Sequence, residues 1–238
     1  MQHLEYSTEK KSKTSIFFSI DNSPLSEITA PRNTAIISSR NLVDAYPSIF
    51  KGKKLIVIDD TEPHKNLATI EKIIAELLEL GTDRNSYIIG IGGGIVCDIT
   101  GFVSHIYMRG VRFVLVPTTL LAMTDASIGG KNGVNFNENK NFIGSFDNPD
   151  FIISDSKFLH TLPEKQYLSG LGEIIKYALI GNSNILNILE TNPDKILNRN
   201  SETIQKLVSE SVLTKIKIVE KDPDDKSIRH ILNCGHTI

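Results

Sequence analysis

The residues best equipped for chemistry crowd between Asp125 and Asn141. Within those seventeen positions stand Asp125, Ser127, Lys131, Asn135, Lys140 and Asn141, interleaved with Gly129, Gly130 and Gly133. Lysine offers a compact positive charge, and asparagine both donates and accepts hydrogen bonds. The mixture suits a small molecule that is phosphorylated and hydroxylated. Taken alone, the run reads equally well as a solvated surface loop, since its glycines and polar residues cannot bury a regular apolar face. Upstream lies a second feature, Gly92-Gly93-Gly94, which follows the short β-branched run Tyr87–Ile91 and precedes helix-like apolar spacing over Ile95–Tyr107. A strand, a glycine turn and a helix start let backbone N–H groups approach a phosphate closely, with no Cβ in the way. The triplet lacks the G-x-G-x-x-G spacing of the ordinary dinucleotide fingerprint, so by itself it also fits a plain chain reversal. Asp98 follows one helical turn further on.

The elements that must position these residues are legible. SIFFSI, NTAIISS, KLIVID, SYIIGIG, RFVLVP and FIISD are short strand-like runs spread from about Thr14 to Ser154. Helical segments separate them, most clearly Asn66–Leu80, whose apolar stripe has a 3.6-residue period and stops at Gly81. Strands alternating with helices predict a Rossmann-like α/β domain with a parallel sheet. After Asp155 the β signal fades, and Pro163–Ile180, Ser183–Thr191 and Glu202–Val219 read as successive helices. The expected organisation is a nucleotide-binding α/β domain over residues 1–155 and an all-α, metal-binding domain over 156–238.

Composition narrows the class without naming it. The chain has 238 residues, 26 basic and 28 acidic, for a net charge of −2. Dispersed, balanced charge argues against a nucleic-acid partner. No apolar run reaches membrane-spanning length, and MQHLEYSTEKK has no signal-peptide core. Cys97 and Cys234, far apart, suit a reducing cytoplasm better than a disulfide framework. Cys97 is expected to pack as a small hydrophobe.

Several blocks together resemble the 3-dehydroquinate synthase family of sugar phosphate cyclases. They are GGGIVCDITGF at 92–102, YMRG at 107–110, PTTLLAMTDASIGGKNGVN at 117–135 and KNFIGSF at 140–146. LPEKQYLSGLGEIIKYA at 162–178 and RHILNCGHT at 229–237 continue the series in the family's order. The resemblance implies a two-domain enzyme with its active site in the cleft between the domains, using NAD and Zn²⁺ (or Co²⁺). It assigns the cofactor to Gly92, Gly93, Gly94, Asp98, Thr118, Thr119, Asp125 and Ser127, with Asp60, Glu62 and Lys65 toward the adenosine half. The match is poorest at Ser38-Ser39-Arg40-Asn41, which leaves adenosine contacts at Ser39 and Asn41 open. Substrate contacts fall to Asp125, Lys131, Lys140, Asn141, Lys176, Lys215, Arg229 and Asn233. Lys131 and Asn141 would hold a phosphate, and Arg229 a carboxylate in bidentate geometry. Arg109 would reach the phosphate of a neighbouring subunit's substrate, implying a homodimer. Of the two lysines in KIKIV, Lys215 is the expected site residue and Lys217 the solvated one.

For the metal, the resemblance points to Glu173 and His236. By spacing alone, Glu173 and Lys176 are simply an i,i+3 helical ion pair. A catalytic zinc needs three protein ligands and an open position, and the family's next histidine falls beyond Ile238. The chain as written is therefore expected to be a C-terminally truncated form, inactive or nearly so. The implied reaction is a redox-neutral cyclisation of 3-deoxy-arabino-heptulosonate 7-phosphate to 3-dehydroquinate, in the shikimate pathway. Oxidation at C5, loss of phosphate, re-reduction and an intramolecular aldol closure follow in turn. Alternatives are a cyclase acting on an amino analogue or on sedoheptulose 7-phosphate, a metal-dependent alcohol dehydrogenase of related architecture, or an inactive NAD-binding fragment.

Overall fold

A computed structural model describes residues 2–7, 13–19 and 33–235. Its spine is a seven-stranded sheet in the order β1-β2-β9-β6-β5-β3-β4. The strands are β1 (Gln2–Ser7), β2 (Lys13–Ser19), β3 (Thr34–Ser39), β4 (Lys54–Ile58), β5 (Tyr87–Gly92), β6 (Arg112–Pro117) and β9 (Phe151–Asp155). Every pairing is parallel except β1 with β2. Strands β3, β5, β6 and β9 are almost wholly buried, as expected for β-branched runs covered on both faces. The six strand-like runs of the sequence are six of these seven strands. The seventh, β1, has no apolar pattern of its own and is defined by its antiparallel register on β2.

The helices are α1 (Arg40–Ala45), α2 (Pro47–Phe50), α3 (Leu67–Glu79), α4 (Gly94–Ile106), α5 (Glu164–Leu179), α6 (Ser183–Thr191), α7 (Pro193–Leu197) and α8 (Ser201–Lys221). Asn66 caps α3 by accepting from Thr69 N at 3.0 Å, and Asn182 and Asn200 cap α6 and α8 in the same way. After β9 no strand follows among the described residues. There α5 carries Tyr167, Ile174 and Tyr177 inward, and α8 carries Leu207, Val212 and Val219.

The glycine-rich polar run is not a loop. It forms an antiparallel hairpin, β7 (Lys131–Phe136) and β8 (Asn139–Phe146). Contrary to the sequence expectation, it has a buried stretch: Asn132, Gly133 and Val134 are enclosed against α4. The glycines make this possible by close approach. A Cβ on Gly133 would lie 2.7 Å from Ile143 O, and one on Gly101 in α4 would lie 1.9 Å from Asn132 Oδ1. Cys97 is buried in the core, as expected, and both cysteines are free.

Candidate active site

Two clefts open near the turns that follow the central strands. The smaller, about 240 Å³, is lined by Ser39 at the end of β3 and Asn41 beyond it, Asp60 after β4, Gly93 after β5, and Thr118 and Thr119 after β6. Chain order reverses here, because β4 lies on one side of β3 and β5 on the other. Crevices at such switch points are where open α/β sheets bind ligands. Gly93 caps α4 with no side-chain hydrogen bond of its own, so the first-turn N–H groups depend on a ligand or solvent. The turn is tightly packed: a Cβ would meet Val96 Cγ2 at 2.4 Å from Gly92, Thr119 Cγ2 at 3.2 Å from Gly93 and Ala126 Cβ at 3.2 Å from Gly94. These residues fit the pyrophosphate of a dinucleotide, which needs backbone donors at a helix start with no side chain between.

The larger cavity, about 650 Å³, lies between the hairpin, the start of α4 and the helical region. Asp98, Asp125, Lys131, Asn141, Lys215 and Arg229 all line it. Three cations against two carboxylates leave an excess positive charge suited to an anion. Asp125 sits in a π-helical turn, Ala122–Ala126, closed by Ser127 N donating to Ala122 O at 3.2 Å. Lys215 Nζ reaches across from α8 to Asp125 Oδ1 at 2.5 Å and to its carbonyl at 2.7 Å. Burial alone would raise the Asp125 carboxyl, but the Lys215 ammonium outweighs it and holds the group below the usual carboxylate range. Burial lowers Lys215, with Asp125 opposing. Tyr177 donates to the same Asp125 Oδ1 at 3.1 Å, and burial, then the charge of Asp125, pushes its phenol far up.

Arg229 is 3% exposed, with Nη1 donating to Pro223 O at 2.9 Å and Nη2 to Gly129 O at 3.0 Å. These bonds fix the plane of its guanidinium. Its turn is organised by Asp222, whose carboxylate accepts from Lys226 N, Ser227 N and Arg229 N at 2.9, 2.7 and 3.1 Å. That capping holds Asp222 far below the ordinary carboxylate range. Lys131 is ion-paired with Asp225.

Lys65 stands apart from the cleft assigned to it by resemblance. It is 5% exposed, ion-paired with Asp98 and donating to Asn141 Oδ1 at 2.5 Å, so it backs two residues that line the larger cavity. Burial pushes the Asp98 carboxyl up to about 6, against the pull of Lys65. Glu62 is likewise drawn to the hairpin, where its Oε1 accepts from Asn135 Nδ2 at 2.9 Å. Only Asp60 of that segment lines the smaller cleft. Ser127 is buried, with its hydroxyl donating to Ala122 O at 2.8 Å. Lys140 and Asn233 are exposed and line neither cleft. Lys217 is exposed while Lys215 is buried. Arg109 is exposed beyond the far end of α4, about 20 Å from the glycine turn at the usual helical rise. It is held there by positive φ at Met108 (49°), Arg109 (68°) and Gly110 (113°). Residues the sequence did not single out are Asn132, Phe142, Phe146 and Tyr177. The three from the hairpin line the cavity; a tyrosine on an apolar helix face reads as core, and only its neighbour Lys176 hinted otherwise.

A metal is poorly served by what is described. Glu173 is buried and ion-paired with Lys176, whose Nζ also donates to Leu232 O at 2.7 Å. His236 lies outside the described residues. Among the described residues no three His, Cys, Asp or Glu side chains cluster as a metal ion requires. Glu173 alone does not supply the three protein ligands that a catalytic zinc needs. No helix among the described residues is long and apolar enough to cross a membrane.

Comparison with known proteins identifies the family. The family model described as 3-dehydroquinate synthase N-terminal matches residues 55–169, and that described as 3-dehydroquinate synthase C-terminal matches 170–238. The 3-dehydroquinate synthase of Dictyoglomus thermophilum is 47% identical over 204 residues, covering 85% of this chain and 58% of that protein. That of Saccharolobus solfataricus is 44% identical over 209 residues, 87% of this chain and 59% of that protein. The chain thus spans about three fifths of the length of these relatives. Among solved structures, 2-epi-5-epi-valiolone synthase from Streptomyces hygroscopicus, with NAD⁺ and Zn²⁺ bound, superposes with a TM-score of 0.85 at 24% identity, over 97% of this chain and 68% of that one. An iron-containing alcohol dehydrogenase from Thermotoga maritima reaches a TM-score of 0.63 at 14% identity, over 91% of this chain and 70% of that one. With 184 of its 238 residues inside the two family models, the chain belongs to the 3-dehydroquinate synthase family.

Proposed function

We propose that this sequence carries the cofactor and substrate sites of a 3-dehydroquinate synthase, acting on 3-deoxy-arabino-heptulosonate 7-phosphate. The observation that carries the reading is the convergence of Asp125, Lys131, Asn141, Lys215 and Arg229 on one cavity. Residues 1–155 bind NAD, and 156–238 contribute the helical wall. Bound at Gly92–Gly94, NAD supplies a reversible hydride acceptor, so the overall reaction is redox-neutral. The chain's own residues bind and orient. Lys131 and Asn141 take the phosphate. Arg229, its fork fixed by Pro223 O and Gly129 O, takes the carboxylate in two-point geometry. Asp125, kept ionised by Lys215, accepts from a substrate hydroxyl and draws the proton toward itself. Arg109 serves the active site of a second copy, since its place beyond α4 removes it from the cavity of its own chain.

A buried, pre-oriented guanidinium favours a substrate with a carboxylate over sugar phosphates that lack one. The test is calorimetric titration of the NAD-saturated chain with the heptulosonate phosphate, alongside phosphate release by the Dictyoglomus thermophilum protein as positive control. Saturable binding that Arg229→Ala weakens at least tenfold supports the reading. Binding only of sugar phosphates that lack a carboxylate overturns it.

A further inference from the structure

Tyr177 has a hydroxyl that neither the family resemblance nor the proposed reaction employs. Its side chain is fully buried on the inner face of α5, where a phenol must find a protein partner because water is excluded. A phenylalanine would fill the same volume. Within the turn the hydroxyl meets Asp125 Oδ1 at 3.1 Å and Thr124 O at 3.3 Å, and on its own helix it faces the Glu173 carboxylate. Of the two contacts in the turn, the shorter is to the charged group. Lys215 approaches the same oxygen at 2.5 Å from α8 and also binds the Asp125 carbonyl. Two donors from two different helices therefore converge on Oδ1. No hydrogen bond is made to Oδ2 among the described residues, and Asp125 lines the cavity, so Oδ2 is the oxygen left to a ligand. The backbone beneath is a π-helical turn, a local distortion common at functional sites. Ser127 Oγ bonding Ala122 O and Thr124 Oγ1 bonding Leu120 O pin it in place.

We propose that Tyr177 is a positioning residue: its hydroxyl holds Asp125 Oδ1 so that Oδ2 faces a hydroxyl of the bound sugar acid phosphate. The choice of ligand rests on the function proposed above; the Tyr177–Asp125 link does not. Because Tyr177 rides on α5 and Asp125 on the turn following β6, the bond also ties the helical region to the sheet at the cavity wall.

The experiment compares wild type, Tyr177→Phe, Asp125→Ala and the double variant in the NAD-saturated chain. Calorimetry uses two probes, inorganic phosphate and the heptulosonate phosphate. Tyr177→Phe is expected to weaken the sugar acid phosphate about tenfold and leave inorganic phosphate within twofold. In the Asp125→Ala background the same change should add less than twofold, because contacting residues are not additive. Equal weakening of both probes, or a full tenfold effect without Asp125, would reduce Tyr177 to a packing residue and overturn the proposal. No effect of Tyr177→Phe would overturn it as well. Should wild type bind phosphate but not the sugar acid, the functional reading fails, and urea midpoints of the same four proteins decide the link. Non-additive losses then uphold it, and additive losses refute it.

Discussion

Substituting Gly101 by alanine tests how the hairpin wall of the cavity is seated. Gly101 lies inside α4, and its Cβ would fall 1.9 Å from Asn132 Oδ1 and 2.3 Å from Cγ. Asn132 cannot swing aside freely, because its Nδ2 donates to Gly130 O at 2.9 Å and to Asp147 O at 2.8 Å. Breaking both bonds costs about 2 kcal/mol net; keeping them and forcing helix and hairpin apart costs about 1–3 kcal/mol. Alanine recovers about 1 kcal/mol of helix propensity, leaving a net loss of about 1 kcal/mol. Gly172 in α5 supplies the control, since a Cβ there meets nothing within 4 Å; Gly172→Ala should gain about 1 kcal/mol. Urea unfolding read by circular dichroism measures both. In the Gly101→Ala background, trimming Asn132 to alanine should cost less than in wild type, since the clash disappears with it. A Gly101→Ala protein as stable as wild type, or more so, would refute the close seating of β7 on α4.

Three further outcomes follow from the site. Lys215→Met strands a carboxylate that keeps 28% of its side-chain surface exposed, and should cost about 3 kcal/mol at pH 7, the low end for a broken buried pair. That loss should shrink as pH falls, beginning above the ordinary carboxylate range because burial without Lys215 raises Asp125 and lets it protonate there; a pH-independent loss would show that the pair is not the cause. Asp222 has a folded pKa depressed from 3.8, so its contribution is present above that value and lost as pH falls below it. The wild-type denaturation midpoint should therefore drop more steeply below pH 4 than that of Asp222→Asn, and parallel curves would contradict the capping role. Gly92→Ala, whose Cβ meets Val96 Cγ2 at 2.4 Å, should weaken NAD at least tenfold in fluorescence titration; unchanged affinity would place the dinucleotide elsewhere.

What the sequence revealed follows a physical divide. Strands such as RFVLVP and FIISD are buried on both faces, so their apolar runs announce them without any partner. Helix Ser183–Thr191 carries its own start signal in Asn182 and has both predicted ends. The hairpin carries no such local signal. Gly133, Gly144 and its asparagines are poor strand formers, and what makes them strands is pairing with each other and packing on α4. The site shows the same split. Asp125, Lys131, Asn141 and Arg229 lie in family blocks, Lys215 lies in KIKIV between two of them, and all five converge on the cavity. The resemblance places Lys65, with Glu62, at the adenosine half through the segment DTEPHK. Two long-range partners, Asp98 and Asn141, hold it behind the wall of the other pocket, and nothing in DTEPHK states that preference. Tyr177 was hidden for the opposite reason, since its helical spacing marks it as core, which it also is.

The most direct test of the account is a structure of the NAD-saturated chain soaked with the heptulosonate phosphate. The account predicts the pyrophosphate against Gly92–Gly94, the substrate phosphate on Lys131 and Asn141, and its carboxylate on Arg229. A dinucleotide bound away from the glycine turn, or a sugar acid phosphate whose carboxylate avoids Arg229, would contradict it.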